Sequence, residues 1–181
     1  MIELSDWIEN IFFARHETFA PRYGWLKKGY DAVIKHGTDV FDSPKAIEHL
    51  GVGKNMVRAM RFWCMAYHVL EPVTVKKPLR VGGQMQPTLF GQHLFDDENG
   101  WDPFLEDIAS LWLLHWKLFM PPVIATAWPI AMNLSLLGNF SAKDLSAAIV
   151  ERLTQQEGIK RYSPASIEKD ASCFVRMYGS S

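Results

Sequence analysis

The stretch SPKAIEHLGVGKNMVRAMRFWCMAYHVL, from Ser43 to Leu70, restricts the fold more than any other part of the chain. Gly51 and Gly53, one residue apart, separate a short run containing Ala46, Ile47 and Leu50 from a longer run with helical spacing. Glycine just past a helix supplies the left-handed turn that other residues resist, so the pattern predicts two helices meeting at an angle. Ser43-Pro44 marks the start of the first, with the hydroxyl as cap and proline in the opening turn. Glu71-Pro72 stops the second, which is predicted over Gly53 to Leu70.

Periodicity sorts that second helix into faces. Met56, Met60, Trp63, Tyr67 and Leu70 recur at spacings of four and three and form a core stripe. Lys54, Arg58 and Arg61 share another face, with Asn55 beside it. A bracing helix, a glycine turn and a second helix with bases near its start make a helix-turn-helix. Lys and Arg hold phosphate or read guanine, and Asn reads adenine. The same shape also serves as a packing unit or a protein-docking module, and Phe62 and Met65 on the outer face indicate that part of it packs on other elements.

The flanking pattern is helical. Ser5 to Phe13 has apolar residues at Trp7, Ile8, Ile11 and Phe12, with Ser5 as its cap. A second helix has Pro21 in its opening turn, a buried stripe of Leu26, Tyr30, Val33 and Ile34, solvent-facing Lys27, Lys28, Asp31 and Lys35, and a stop at Gly37. Val73 to Val81, followed by Gly82-Gly83, has the β-branched residues of a hairpin wing, confined by Pro72 and Pro78 to a sheet edge. Thr88 caps a short helix through Leu94, and Asp96 to Asp102 form an acidic loop. Pro103 to Phe119 is expected as a deeply buried helix, and Val123 to Leu137 as a segment interrupted by Pro129. Ser141 with Asp144 opens a capped helix, and Ser163-Pro164 the last one. The expected fold is mainly α, a winged-helix-like core with additional packed helices and a small β-hairpin wing. It divides into a DNA-binding region over residues 1–84 and an acidic helical region over 85–181.

Nearly half of the residues are apolar and seven are Trp, which excludes a disordered chain. Cys64 and Cys173 fall in no CxxC or Cys/His spacing, so they are expected as buried free thiols of a reducing cytosol, with no disulfide or zinc. The apolar stretch from Leu111 to Leu137 is broken by His115, Lys117, Pro121, Pro122 and Pro129, which argues against a membrane span. The acidic start MIELSDWIEN is no signal peptide. A soluble, cytoplasmic protein without membrane contact is expected. The net charge of −1 hides an asymmetry: residues 15–80 hold twelve Lys/Arg against six Asp/Glu, and the remainder seven against fourteen. A directed polyanion surface has this character, as does a chance distribution of solvated faces.

In FARHETFAPRYGWLKKGYDAV, bases alternate with aromatic rings. Arg15, Arg22, Lys27 and Lys28 suit phosphate, and Phe19, Tyr23 and Trp25 suit stacking. His16 and Glu17 are candidates for proton transfer at a phosphodiester, or else belong to a salt-bridged helix entry. Asp96, Asp97, Glu98 and Asp102, near Glu106 and Asp107, are the best acidic cluster, but their Gly/Asn-containing setting reads as a solvated loop, and no metal site is assigned. No HExxH, GxSxG, phosphate-binding loop or dinucleotide fingerprint occurs. The residues imply no cofactor; a nuclease would need Mg²⁺ or Mn²⁺.

Three blocks in order, FARHETFAPRYGWLKKGYDAV, AIEHLGVGKNMVRAMRFWC and DPFLEDIASLWLLHW, resemble a bacterial domain family associated with DNA phosphorothioate modification, which includes the SspB nicking components. The resemblance covers nearly the whole chain. It implies a role in phage defence, with a cysteine desulfurase, an ATPase and a sulfur-transfer enzyme as partners, and nicking of one DNA strand as the reaction. It carries over no catalytic residue, and it implies that members continue past a segment such as CFVRMYGSS into a further region. Two other readings remain open: a transcription-factor-like module without enzymatic activity, and a scaffold docking its partners through the Trp-rich acidic half.

Overall fold

The computed structural model describes residues 11–74, 83–134, 140–155 and 162–179. Most of the helix expected from Ser5, and the tip of the expected wing with Pro78, lie outside the described residues; residues 11–13 are not helical. The chain separates into two compact units, Pro21–Leu118 and Met1–Ala20 with Phe119–Ser181. A cut at residue 84 falls inside the first of these.

In the Pro21–Leu118 unit, α1 spans Trp25–His36. It begins later than Pro21 suggests because Gly24, at φ 79°, places the left-handed turn directly before it. Leu26, Tyr30 and Val33 are buried as the stripe requires, whereas Ile34 is 60% exposed. Gly29 lets α1 approach α3 (Lys54–Ala66): a Cβ there would lie 2.5 Å from Cys64 Sγ. Between them stands α2, Ala46–Leu50, which buries Ala46 and Leu50 but leaves Ile47 exposed. Ser43 accepts from the Lys45 amide in a turn before α2 rather than capping it. Gly51, at φ 60°, ends α2 as expected. The helices α1, α2 and α3 all touch one another.

Helix α3 stops at Ala66 rather than Leu70. The following residues turn through His68, at φ 57°, into β1 (Leu70–Pro72). Strand β1 pairs antiparallel with β2 (Met85–Pro87), Leu70 opposite Pro87. The Met85 amide also donates to the Thr38 carbonyl at 2.7 Å, tying β2 to the connection after α1. Thr88 caps α4 (Leu89–Phe95) by accepting from the Gly91 amide, as its position predicts. Because β2 pairs with β1 and α4 packs on α1 and β2, residues beyond 84 belong to the same core.

The largest departure is α5, Ile108–Lys117. The deeply buried helix expected over Pro103 to Phe119 starts only at Ile108, and α5 buries only Ser110 and Leu114, while Ile108, Trp112 and Trp116 are 70%, 67% and 67% exposed. Apolarity on most sides does not by itself supply a neighbour on each side.

In the second unit, α6 (Ala127–Asn133) carries Pro129 in its first turn, where the missing amide costs no helical bond. Helix α7 (Ala142–Thr154) opens with the Ser141–Asp144 capping box. Helix α8 starts at Pro164 and runs to Tyr178, packing on α6 and α7 around Trp128, Leu145, Ile149 and Ile167. No helix among the described residues is long and apolar enough to cross a membrane.

Candidate nucleic-acid interface

Helix α3 follows a turn whose two glycines differ: Gly51 is left-handed, and Gly53 is extended at φ −65°, ψ 159°. Lys54, Asn55 and Arg58, all within its first two turns, are exposed. No side chain caps this end and no acid lies in its first turn, so the helix dipole adds to the positive field there. The Lys54 side chain makes no hydrogen bond or ion pair among the described residues.

Arg61, one turn further on, differs. It is only partly exposed, and burial lowers its pKa, with Asp42 opposing that shift. Its guanidinium lies 3.8 Å from the place a Cβ on Gly83 would occupy, and Asp42 accepts from the Gly83 amide. Arg61 therefore sits against the approach to β2 and departs from the solvent-facing row expected for it. Of the core stripe, Met60, Trp63, Tyr67 and Leu70 are buried and Met56 is partly so, but Phe62, Cys64 and Met65 are buried as well. Apart from the partly exposed Arg61, the second half of α3 is thus interior, and its first half presents the exposed polar face. Burial raises the Cys64 thiol pKa well above its usual range, which keeps it an inert thiol.

A groove of about 440 Å³ runs along one side of α1. Its floor is the face carrying Lys27, Lys28, Asp31, Lys35 and His36; its walls are His49 of α2 and a strap at Pro103–Leu105. The rings of His36 and His49 stack at 3.9 Å. Lys28 Nζ reaches the Leu50 carbonyl at 3.4 Å, which brings the groove to the α2–α3 turn. Tyr23 and Phe104, 75% and 67% exposed, stand at the rim, where the Tyr23 hydroxyl donates to the Phe104 carbonyl at 2.6 Å. Asp102 fastens the strap, its carboxylate accepting from the Glu106 and Asp107 amides at 2.9 Å each. Burial raises the Asp102 pKa, but these bonds outweigh it and hold the carboxyl below its ordinary value.

Lys27 is partly compensated, donating to Asp31 at 2.7 Å and to Asp97. Burial lowers its pKa, the two carboxylates raise it, and the net shift is upward. Sequence reasoning placed Lys35 in solvent but missed its part in this groove, along with those of His36, His49 and Phe104. The helical spacing of Lys28 and Lys35 was the available signal; the strap, some seventy residues away, left none.

The amino-terminal candidates lie in the other unit, except Arg22, whose guanidinium sits 5.5 Å from the Trp25 ring centroid. Arg15 is exposed and Glu17 partly so. His16 is 1% exposed, and its Nε2 lies 2.7 Å from Asp170 Oδ1, which also accepts from the Ala14 amide at 2.7 Å. The His16 ring packs edge-on against Trp128. Burial raises the Asp170 pKa against these bonds. Left-handed Ala14, Glu17 and Thr18, at φ 55°, 49° and 67°, bend the backbone that brings His16 inward. The predicted His16–Glu17 proton-transfer pair is thus divided between interior and surface.

Among the described residues, no three His, Cys, Asp or Glu side chains gather as metal ligands. The acidic loop shows why. Asp96 accepts from the Glu98 and Asn99 amides, Asp97 pairs with Lys27 and Asp102 holds the strap. Asp96 and Asp102 thus hold nearby backbone and Asp97 reaches α1, so these carboxylates do not converge on one point.

Comparison with known proteins supplies the remaining findings. Residues 13–181 match a family model described as a protein of unknown function, DUF4007. A crystal structure of SspB superposes with a TM-score of 0.81 at 37% identity, over 97% of this chain and 52% of that one. A magnesium-ion-bound SspB crystal structure superposes at 0.82 and 37%, over 98% and 52%. The chain spans about half the length of these solved relatives. No curated protein sequence matches it significantly.

Proposed function

From the premise that this chain belongs to the DUF4007 family, we propose that it is the DNA-binding part of a phosphorothioate-modification and phage-defence component, with α2 and α3 as a winged helix-turn-helix. The observation that carries the reading is the joint exposure of Lys54, Asn55 and Arg58 on the first half of a helix that follows a glycine turn. Recognition helices meet bases with their first turns, while the helix before them braces the angle. The winged form is supported by the order of three helices and then an antiparallel pair, and by the bond from Met85 to Thr38, which adds the segment between α1 and α2 to the sheet edge. Arg61 then acts as a brace under the wing, and the DNA-facing set is Lys54, Asn55 and Arg58.

The likeness to SspB, together with the phosphorothioate association of the family it resembles, supports the defence context and, as partners, a cysteine desulfurase, an ATPase and a sulfur-transfer enzyme. Strand nicking belongs to the proposal for the whole protein. A metal-dependent cut, suggested by the magnesium-bound relative, draws its ligands from residues other than the acidic loop over 96–102. Electrophoretic mobility shift at low salt tests the DNA reading: Lys54→Glu and Arg58→Glu each weaken the shift about tenfold or more, with unchanged circular dichroism. Unaltered affinity in both overturns the assignment of α3. Supercoiled plasmid with Mg²⁺ or Mn²⁺ separates the alternatives, since a transcription-factor-like module binds without producing open circles.

A further inference from the structure

We infer that the groove along α1 holds an unpaired nucleic-acid strand. The inference deepens the DNA-binding reading and rests on it for the identity of the polyanion. The groove floor shows which ligand it fits. Lys27 is matched by both Asp31 and Asp97, so the three lysines leave a net of one positive charge, and the cations without a carboxylate partner among the described residues are Lys28 and Lys35, with His36 and His49 as further donors. Lys35 makes no hydrogen bond or ion pair among the described residues, and Lys28 has only a carbonyl at 3.4 Å. The two lysines are seven residues apart on one helix face, about 10 Å along the axis at 1.5 Å per residue. A single phosphate cannot reach both, whereas a chain of phosphates can. The start of α1, at Gly24, also lines the groove and has no side-chain cap and no acid in its first turn, so a phosphate there would satisfy the helix end.

The rim selects among polyanions. Tyr23 and Phe104 leave most of their side-chain surface exposed at the rim instead of filling the core. Basic track with aromatic platforms is the arrangement that holds single strands, with bases stacking on the rings and phosphates on the cations. The walls at His49 and Pro103–Leu105 bound a volume of about 440 Å³. Lys28 reaches the carbonyl immediately before Gly51, so the groove lies next to the α2–α3 turn. A strand leaving a duplex held by Lys54 and Arg58 can continue into it.

Fluorescence anisotropy of the full chain tests this with three probes: a thymidine oligonucleotide of about twelve nucleotides, within the usual span of single-strand sites, an abasic strand of equal length and charge, and a duplex. The thymidine strand is expected to bind about tenfold more tightly than the abasic one. Phe104→Ala and Lys35→Glu, both at exposed positions, each weaken the thymidine strand about tenfold and leave the duplex unchanged. Lys54→Glu does the reverse. The inference is overturned if the groove variants, with wild-type circular dichroism, bind the thymidine strand as wild type does, or if they lose strand and duplex in parallel. Equal affinity for thymidine and abasic strands overturns it too. Loss of the duplex reading alone has a separate signature: no duplex binding by wild type, with the thymidine strand still dependent on Phe104 and Lys35.

Discussion

His16 and Asp170 are separated by 154 residues in the chain and by 2.7 Å in space, with 1% and 3% of their side-chain surfaces accessible. Removing one member of a buried pair leaves the other without compensation, at a cost of about 3 kcal/mol. His16→Ala is therefore expected to lower the unfolding free energy measured in urea by about that amount, whereas Asp170→Asn, which keeps an oxygen for the Ala14 amide, costs less. Chemical denaturation and plasmid relaxation measured on the same preparation distinguish a structural His16 from a reactive one. Full stability with lost relaxation would reverse the structural assignment. Arg58 and Arg61 make the same point with charge, since one lies exposed and burial depresses the pKa of the other. Helical spacing puts both on one face; only the tertiary neighbours Asp42 and Gly83 separate them.

At the scale of elements, signals that need only a few neighbouring residues are legible in the sequence, and those that depend on tertiary neighbours are not. The Thr88 cap, the Ser141–Asp144 box and the stop at Gly51 each need only three or four residues of chain, and the structure has all three. The end of α3 at Ala66, the exposure of Ile34 and Ile47, and the open face of α5 depend on what packs against each element. The groove was half legible: α1 displayed its lysines in the sequence, but the strap that walls them in comes from Pro103–Leu105. The closeness of α1 and α3 is a neighbour effect that one residue tests. A methyl group on Gly29 would fall 2.5 Å from Cys64 Sγ, in contact with residues that are wholly buried. Overpacking of this kind costs about 1–3 kcal/mol, more than the helix propensity that Ala gains over Gly. Gly29→Ala is thus expected to lower the melting temperature, and adding Cys64→Ala to restore much of it. A stabilising single variant would mean that the helices stand further apart.

The charge pattern changes meaning at the scale of the molecule. Along the chain it divides into a basic stretch and an acidic remainder, yet the Pro21–Leu118 unit carries twelve Lys/Arg against eleven Asp/Glu, and the other unit seven against nine. The acidic loop over 96–102 folds into the same unit as the basic helices, and Asp97 lies on Lys27. The Pro21–Leu118 unit therefore has a formal net charge of +1, too small for strong long-range steering of a polyanion by net charge alone. On the proposed reading, attraction rests on local cations, Lys54 and Arg58 on α3 for a duplex and Lys28 and Lys35 in the α1 groove for an unpaired strand. Each phosphate neutralised contributes about −0.9 to the slope of log affinity against log salt on a duplex. Two contacts from α3 give a slope of about −2, and four cations engaged together give at most about −4. Lys54→Ala should reduce the slope for a duplex by about one, while Lys27→Ala, at a residue already paired with Asp31 and Asp97, should leave it nearly unchanged. Titrations from low to physiological salt measure both. A wild-type slope steeper than about −6 would require a basic surface much larger than these four residues and would locate the contact elsewhere in the chain.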